Sequence, residues 1–404
     1  MSCHTHQIIE EAENHSANIY HPLPVVIQRA ERVWVWDAEG KKFMDMLSAY
    51  SALNQGHNHP AIVKAAKDQL DRISLTSRAF FHDKQGVFFK KLAVLTGKDK
   101  VLPMNSGAEA VETAIKAVRK WGTLKKGVPE GKAEIIVCGG NFHGRTVTIV
   151  GFSTEEQYKA GFGPFTPGFT VIPYGDTKSL EKAITPATVA FMVEPIQGEA
   201  GVVVPPAGYL AEAYEICKRN KVLFVADEIQ TGFGRTGRMF CCDHEEVKAD
   251  VYIMGKALGG GILPVSAIAC VDAVMDVFTP GDHGSTFGGN PVACAVAIAA
   301  LDVIVGERLC EKSQEMGDYF MGKLRQMNSP HVDHVRGKGL LIGVVVKDAS
   351  GPARPFCERL MEEGILAKET HHQVIRFAPP LVITREEADW ALQRIAKVLG
   401  GKLS

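Results

Sequence analysis

Six short apolar runs through the middle of the chain constrain its fold more than any other feature. They are EIIVCGG (134–140), FTVIPYGD (169–176), VAFMVEPIQ (189–197), VLFVADE (222–228), DVYIMGK (250–256) and VSAIACVD (265–272). Each is nearly continuous in apolar character, where a strand with one wet face would alternate. Such strands belong to a mainly parallel sheet covered on both faces, and the helix-like segments between them supply the cover. These runs imply an α/β core over about residues 50–290. At 404 residues the chain is also too long for one small core. Its flanks read differently: VVIQRAERVWVWDAEGKKFMDML (25–47) is strand, turn, strand, and GKGLLIGVVVK and VIRFAPPL are strands beside the helical CERLMEEG and TREEADWALQRIAKVLG. The expected organisation is a large domain at 50–290 and a small α+β domain that residues 1–49 and 291–404 build together.

Charge excludes some partners. With 45 basic against 46 acidic residues, the chain offers no electrostatic footprint for nucleic acid or an anionic membrane. No apolar stretch is long enough to span a bilayer, and MSCHTHQIIEEAENHS lacks the Arg and the apolar segment of a leader. Nine cysteines without a CxxC pair, with Cys138, Cys217, Cys270 and Cys294 in apolar settings, read as reduced thiols in the cytoplasm. Small molecules are left as the favoured ligands.

Two residues at strand ends carry the first chemical signal. Lys256 comes directly after DVYIMG, and Asp227 ends VLFVAD. A lysine must be an amine to condense with an aldehyde, and an apolar, Gly-flanked setting lowers its pKa toward that state. A carboxylate beside a pyridine nitrogen keeps that ring protonated and able to accept electrons. Together the two meet the requirements of pyridoxal 5'-phosphate.

Further segments support or compete with this reading. In MNSGAEAVETAIKAVRKWG (104–122), Ser106 and Glu109 have capping-box spacing ahead of a 3.6-residue apolar period, so Ser106, Gly107 and Ala108 head a helix whose free N–H groups suit a phosphate, unless it is simply a capped helix. GFGRTG (232–237) matches a dinucleotide fingerprint and keeps a nicotinamide-dependent dehydrogenase as the rival enzyme, but the next residues, RMFCCDHEEV, do not make an amphipathic helix. Arg145 and Arg376, flanked by apolar or aromatic residues, suit capture of carboxylates, and Glu199 could neutralise one of them. His57 and His59 lack a third metal ligand, and Cys241, Cys242 and His244 lack ligand spacing, so no metal is expected.

Taken together, NSGAEAVETA, FHGRT, VEPIQGEAG, DEIQTGFGRTG and GKALGGG resemble the class III aminotransferases of the type I pyridoxal-phosphate fold, over nearly the whole chain. The segments YHPLPVV (20–26), SAYSALNQGHNHP (48–60), HGSTFGGNP (283–291), HVRGKGL (334–340) and KETHHQVIRFAPPL (368–381) are similar to those of members that act on ornithine. The resemblance implies that Lys256 binds the cofactor aldehyde and then moves the proton, that Asp227 pairs with the pyridine nitrogen, and that Gln230 reaches the ring hydroxyl. It implies Phe142 stacked on the ring, with His143 beside it less suited to that role. Ser106, Gly107 and Ala108 would hold the phosphate, joined by Thr286, with Ser285 beside it, from the second subunit of a homodimer. His143 departs from relatives that often carry Trp there, and Ala108 from those with a β-branched residue.

The same resemblance implies the substrates. Ornithine must present its terminal amine, so Tyr20 and Arg145 would hold its α-carboxylate and α-amine far from the ring, with Tyr50 lining the channel. For 2-oxoglutarate, Arg376 would take the carboxylate next to the keto group and Arg145 the distal one. Glu199 would mask Arg376 in the first half-reaction and swing away in the second. The expected products are glutamate 5-semialdehyde, which cyclises to pyrroline-5-carboxylate, and glutamate. Acetylornithine or 4-aminobutyrate as amino donor, and a catalytically silent cofactor-binding scaffold, are the alternatives.

Overall fold

The computed structural model describes residues 3–402. After an exposed helix, Cys3–His15, come strands β1 (Ile27–Glu31), β2 (Trp34–Asp37) and β3 (Lys42–Asp45), an antiparallel ribbon turned at the DAEG segment. The central sheet comprises β4 (Lys100–Met104), β5 (Glu134–Cys138), β6 (Phe169–Ile172), β7 (Thr188–Val193), β8 (Leu223–Asp227), β9 (Val251–Met254) and β10 (Ser266–Cys270), in the order β4-β10-β9-β8-β7-β5-β6. From β6 to β9 every pairing is parallel, and β10 runs antiparallel to both β9 and β4.

Every residue of β7, β8, β9 and β10 is buried, which is why their sequences do not alternate. Alternate side chains feed two separate cores: Leu223 and Val225 pack into one, Phe224 and Ala226 into the other. Helix Gly107–Trp121 lies across β9 and β10 on the first face, burying Val111, Ala114, Ile115 and Val118. Helix Tyr209–Arg219 covers β8 on the second. The seventh strand, β4, is absent from the expected set. Its KVLPM sequence contains Pro103, which cannot donate to a ladder and is tolerated because β4 is an edge.

The two ends of the chain meet. Strands β11 (Val332–Lys338), β12 (Leu341–Val346), β14 (Lys368–Thr370) and β15 (Val374–Phe377) form an antiparallel sheet, while β13 (Ile365–Leu366) leaves it to pair in parallel with β3, Ile365 opposite Met44. The C-terminal helix Arg385–Leu399 begins at a Thr384–Glu387 capping box, and Glu387 also accepts a 3.0 Å bond from Trp34 Nε1. Trp34 meets Trp390 edge to face at 5.0 Å. Buried Arg235 joins the parts: its guanidinium donates to Asn54 Oδ1 at 2.6 Å, Pro379 O at 2.6 Å and Leu340 O at 3.0 Å. The GFGRTG glycines therefore shape a turn rather than open a helix.

Among the described residues no helix is long and apolar enough to cross a membrane, and no group of three or more His, Cys, Asp or Glu could hold a metal. His57 Nε2 meets Asp45 and His59 Nε2 meets Glu307, each at 2.8 Å. Cys241 and Cys242 are buried free thiols, and His244 Nε2 bonds Thr236 O at 2.9 Å.

Candidate active site

Three neighbouring parallel strands deliver reactive groups to one edge. Glu194 comes directly after β7, Asp227 ends β8, and Lys256 lies just past β9 across Gly255. Carboxyl ends of parallel strands face the same crevice, the usual ligand position in such sheets. A cavity of about 150 Å³ opens there, its lining including Gly107, Ala108, Phe142, Asp227, Gln230 and Lys256. Lys256 itself adopts φ 45°, a left-handed conformation that a side-chain-bearing residue holds only when its surroundings impose it. Burial lowers its pKa below the ordinary lysine value, with the Glu199 carboxylate pulling the other way.

At the back of the cavity, Asp227 Oδ2 accepts a 2.6 Å bond from His143 Nδ1, and its Oδ1 accepts the Ile229 N–H at 3.1 Å. His143 is buried. Burial opposes its protonation, yet the hydrogen bond and charge of Asp227 outweigh that, so its pKa is raised. Its Nε2 is buried without a partner among the described residues. Glu194 accepts the Phe142 N–H at 2.8 Å, and burial pushes its pKa up to about 8, with nearby His143 opposing. Glu194, which is not among the residues expected from sequence, thus fixes the backbone of Phe142.

The phosphate-type end is built by helix Gly107–Trp121. Ser106 Oγ accepts the Glu109 N–H at 3.2 Å and Glu109 accepts Ser106 N–H at 2.7 Å, a complete capping box. Gly107 packs closely against Ile229: a Cβ there would lie 3.0 Å from Ile229 Cδ1, and that side chain would have to give way. Ser285 Oγ accepts from Asn105 Nδ2 at 3.0 Å within the same chain, and Thr286 is exposed beside it, outside the cavity lining.

Above the lysine lies an ion pair. Arg376 on β15 is fully buried and its Nη1 reaches Glu199 Oε1 at 2.7 Å. Gln230 Nε2 donates to the same oxygen at 3.0 Å, and Gln230 Oε1 lies 3.4 Å from Arg376 Nη1. Despite burial, Arg376 and then Lys256 hold the Glu199 pKa down to about 2. Thr370 Oγ1 donates to the Glu199 carbonyl. The far nitrogen of the guanidinium, Nε, is buried without a partner among the described residues.

Tyr50 faces this pair, its ring 4.8 Å below the Arg376 guanidinium carbon. It sits in a turn of four successive left-handed residues, Ser48 to Ser51. Such backbone costs roughly 1–2 kcal/mol per residue. Asp45 holds the turn, Oδ1 accepting the N–H groups of Leu47 and Ser48 at 2.8 Å each. Burial raises the Tyr50 pKa, Arg376 opposes, and Glu199 and Tyr20 add to it. Tyr20 is 76% exposed, so it stands at the mouth rather than inside. Its segment is tied down by Arg354, which donates to the carbonyls of His21 and Pro22 at 3.0 Å. Arg145 is exposed near Phe142, its guanidinium 3.6 Å from the ring centre of Tyr158.

A lysine just past β9 and an aspartate ending the adjoining parallel strand, with an arginine brought in from the C-terminal sheet, make up the candidate site of this α/β fold. The chain belongs to the class III aminotransferases, whose family model matches residues 15–399. It is 61% identical over 395 residues to the ornithine aminotransferase of Brevibacillus brevis, covering 98% of each chain. A solved structure of the ornithine aminotransferase of Toxoplasma gondii, with partial occupancy of PLP at its active site, superposes with a TM-score of 0.96 at 44% identity, covering 98% of this chain and 94% of that one. The acetylornithine aminotransferase of Elizabethkingia anophelis superposes with a TM-score of 0.89 at 48% identity, covering 98% of both.

Proposed function

We propose that this chain transfers the δ-amino group of L-ornithine to 2-oxoglutarate, using pyridoxal 5'-phosphate, as a cytoplasmic homodimer. The cavity suits the cofactor: Gly107 and Ala108 bring a helix N-terminus to its lining, Asp227 is fixed there by His143, and His143 Nε2 is a buried polar atom with no partner among the described residues. Ser106, Gly107 and Ala108 would hold the phosphate, Phe142 the ring face, Asp227 and Gln230 the ring heteroatoms, and Lys256 the aldehyde carbon. Thr286, exposed on one chain, would complete the phosphate site of a second copy, with Ser285 beside it. When bound, the cofactor supplies an electron sink that lets a C–H bond beside the transferred nitrogen release its proton.

The remaining chemistry belongs to the chain. Lys256, an amine kept from full hydration, would take up and hand back the proton at the reacting carbon through its Nζ. The Glu199–Arg376 pair at 2.7 Å carries the substrate assignment. An unmasked Arg376 would seize the α-carboxylate of ornithine and present the wrong amine, whereas the neutralised pair leaves that carboxylate to Tyr20 and Arg145 at the mouth. With 2-oxoglutarate or glutamate, Glu199 yields Arg376 to the carboxylate beside the reacting carbon, and Arg145 takes the distal one. Tyr50 lines the path between.

The 48% identity to an acetylornithine aminotransferase supports acetylornithine as the second reading. One experiment separates the two. Purified protein with pyridoxal phosphate, 2-oxoglutarate and either ornithine or acetylornithine is assayed for glutamate and for pyrroline-5-carboxylate trapped as its coloured adduct. Turnover of ornithine at least about tenfold above acetylornithine supports the proposal, and the reverse ratio replaces it.

A further inference from the structure

We infer that Tyr158 is a specificity-determining positioning residue, which holds Arg145 in the place where it meets the far end of the substrate. The inference rests on Arg145 being the residue that grips that end. Arg145 is exposed and has a long flexible side chain, so its usefulness depends on what fixes it. The guanidinium carbon lies 3.6 Å from the centre of the Tyr158 ring and 5.2 Å from that of Phe142. Tyr158 and Phe142 meet edge to face, with centroids 6.1 Å apart and planes at 83°. The three groups form one unit, in which the cofactor platform Phe142 braces Tyr158 and Tyr158 braces the guanidinium.

The bracing is built in. Phe142 is set by its N–H to Glu194, and Tyr158 lies in the short helix Glu156–Lys159, where its own N–H bonds Glu155 O at 3.0 Å. Glu155 in turn reaches His371, in the β14–β15 turn, at 3.5 Å. Stacking on a π face leaves the guanidinium's in-plane N–H donors free, so Arg145 is held without consuming the groups that would grip a carboxylate. Tyr158 acts through Arg145 and is not itself in contact with the reacting atoms.

The test compares Tyr158→Leu, Tyr158→Phe and Arg145→Gln in the loaded enzyme with three amino donors or acceptors: ornithine, 2-oxoglutarate, and 1,4-diaminobutane, which is ornithine without its carboxylate. Tyr158→Leu is expected to raise KM for ornithine and 2-oxoglutarate about three- to tenfold with kcat within about twofold, and to leave 1,4-diaminobutane unchanged. Tyr158→Phe keeps the ring and should keep wild-type KM. In an Arg145→Gln background, adding Tyr158→Leu should cost nothing more. Equal losses on 1,4-diaminobutane, a Tyr158→Phe defect matching Tyr158→Leu, or unchanged KM in Tyr158→Leu alongside a raised KM in Arg145→Gln would overturn the role of Tyr158. Unchanged KM in Arg145→Gln would instead overturn the assignment of Arg145. Cofactor absorbance and affinity, expected to match wild type, show that Tyr158→Leu has not disturbed Phe142, and a loss there would also count against the inference.

Discussion

His143 Nδ1 donates to Asp227 Oδ2 across 2.6 Å with both side chains buried, so the aspartate lining the cavity is aimed by an imidazole. Burial works against the charged ring, but its aspartate partner wins and the pKa is raised above 6.5. A raised pKa gives stability that is full below 6.5 and is lost as pH climbs through the folded-state value. His143→Gln in cofactor-free protein should therefore cost about 1–3 kcal/mol at pH near 6, the gap narrowing toward pH 9. Urea unfolding at both pH values measures it; a gap that does not change with pH contradicts the charged-ring account.

Glu194 gives the opposite kind of prediction, because its pKa of about 8 reflects a carboxylate that burial disfavours. The group favours folding while protonated in both states, below about 4.5, and that contribution drains away as pH rises to about 8. Glu194→Gln still accepts the Phe142 N–H and should flatten this slope, gaining a few kcal/mol relative to wild type between pH 5 and 8, on the order of the shift involved. Parallel denaturation curves with identical pH slopes would refute it.

Removing the mask should be selective. Glu199→Ala is expected to lower kcat/KM for ornithine about 10- to 100-fold while glutamate stays within about threefold, since only the first substrate needs Arg376 covered. Equal losses on both would point to a structural role. Protonation does not open the pair in ordinary buffers: with a folded pKa of about 2 its contribution holds above 4.5 and fades only as pH falls toward 2.

Lys256→Ala should reduce kcat by roughly a thousandfold or more, the scale of a lost proton carrier. Borohydride treatment of wild type with pyridoxal phosphate should fix the cofactor at Lys256, as peptide mapping would reveal. The same adduct forming in the variant at another residue would remove the assignment.

Gly198 tests the pair indirectly. A Cβ at that position would stand 1.7 Å from Gln230 Oε1, so Gly198→Ala must expel the amide that bridges Glu199 and Arg376. Losing about 1 kcal/mol of hydrogen bonding should shrink the preference for ornithine over glutamate about fivefold, with little change in Tm. An unaltered preference would show that Gln230 is dispensable.

Much of this is legible in residues whose local chemistry is self-contained. The six apolar runs, the capping box at Ser106, and the strand-end Lys256 and Asp227 depend on neighbours in sequence, and the structure places them as the patterns require. β4 is not legible, because Pro103 argues against a strand unless the strand is known to be an edge. Glu194 has the same signal as Asp227, an acid ending an apolar run, but nothing local says that its carboxylate meets the Phe142 N–H. Tyr158 sits in the polar stretch EEQYK, and nothing local says that Arg145 lies over its ring. The left-handed turn that presents Tyr50 contains no glycine, so its backbone is imposed by Asp45 and the packing around it.

The pairing of Ile365 with Met44, and of Arg376 with Glu199, has a consequence for how the protein is born. A ribosome that has released everything through Lys256 has delivered the reactive amine and its aspartate, yet β3 still lacks β13 and Glu199 still lacks its cation. Vectorial synthesis thus leaves the early ribbon with an open edge and the future catalytic cleft without its roof until the last strands emerge. The nascent chain is exposed to misassembly through that interval. The arginine that makes the chemistry selective is also among the last residues to arrive, so the ability to choose a substrate cannot precede the closing of the fold.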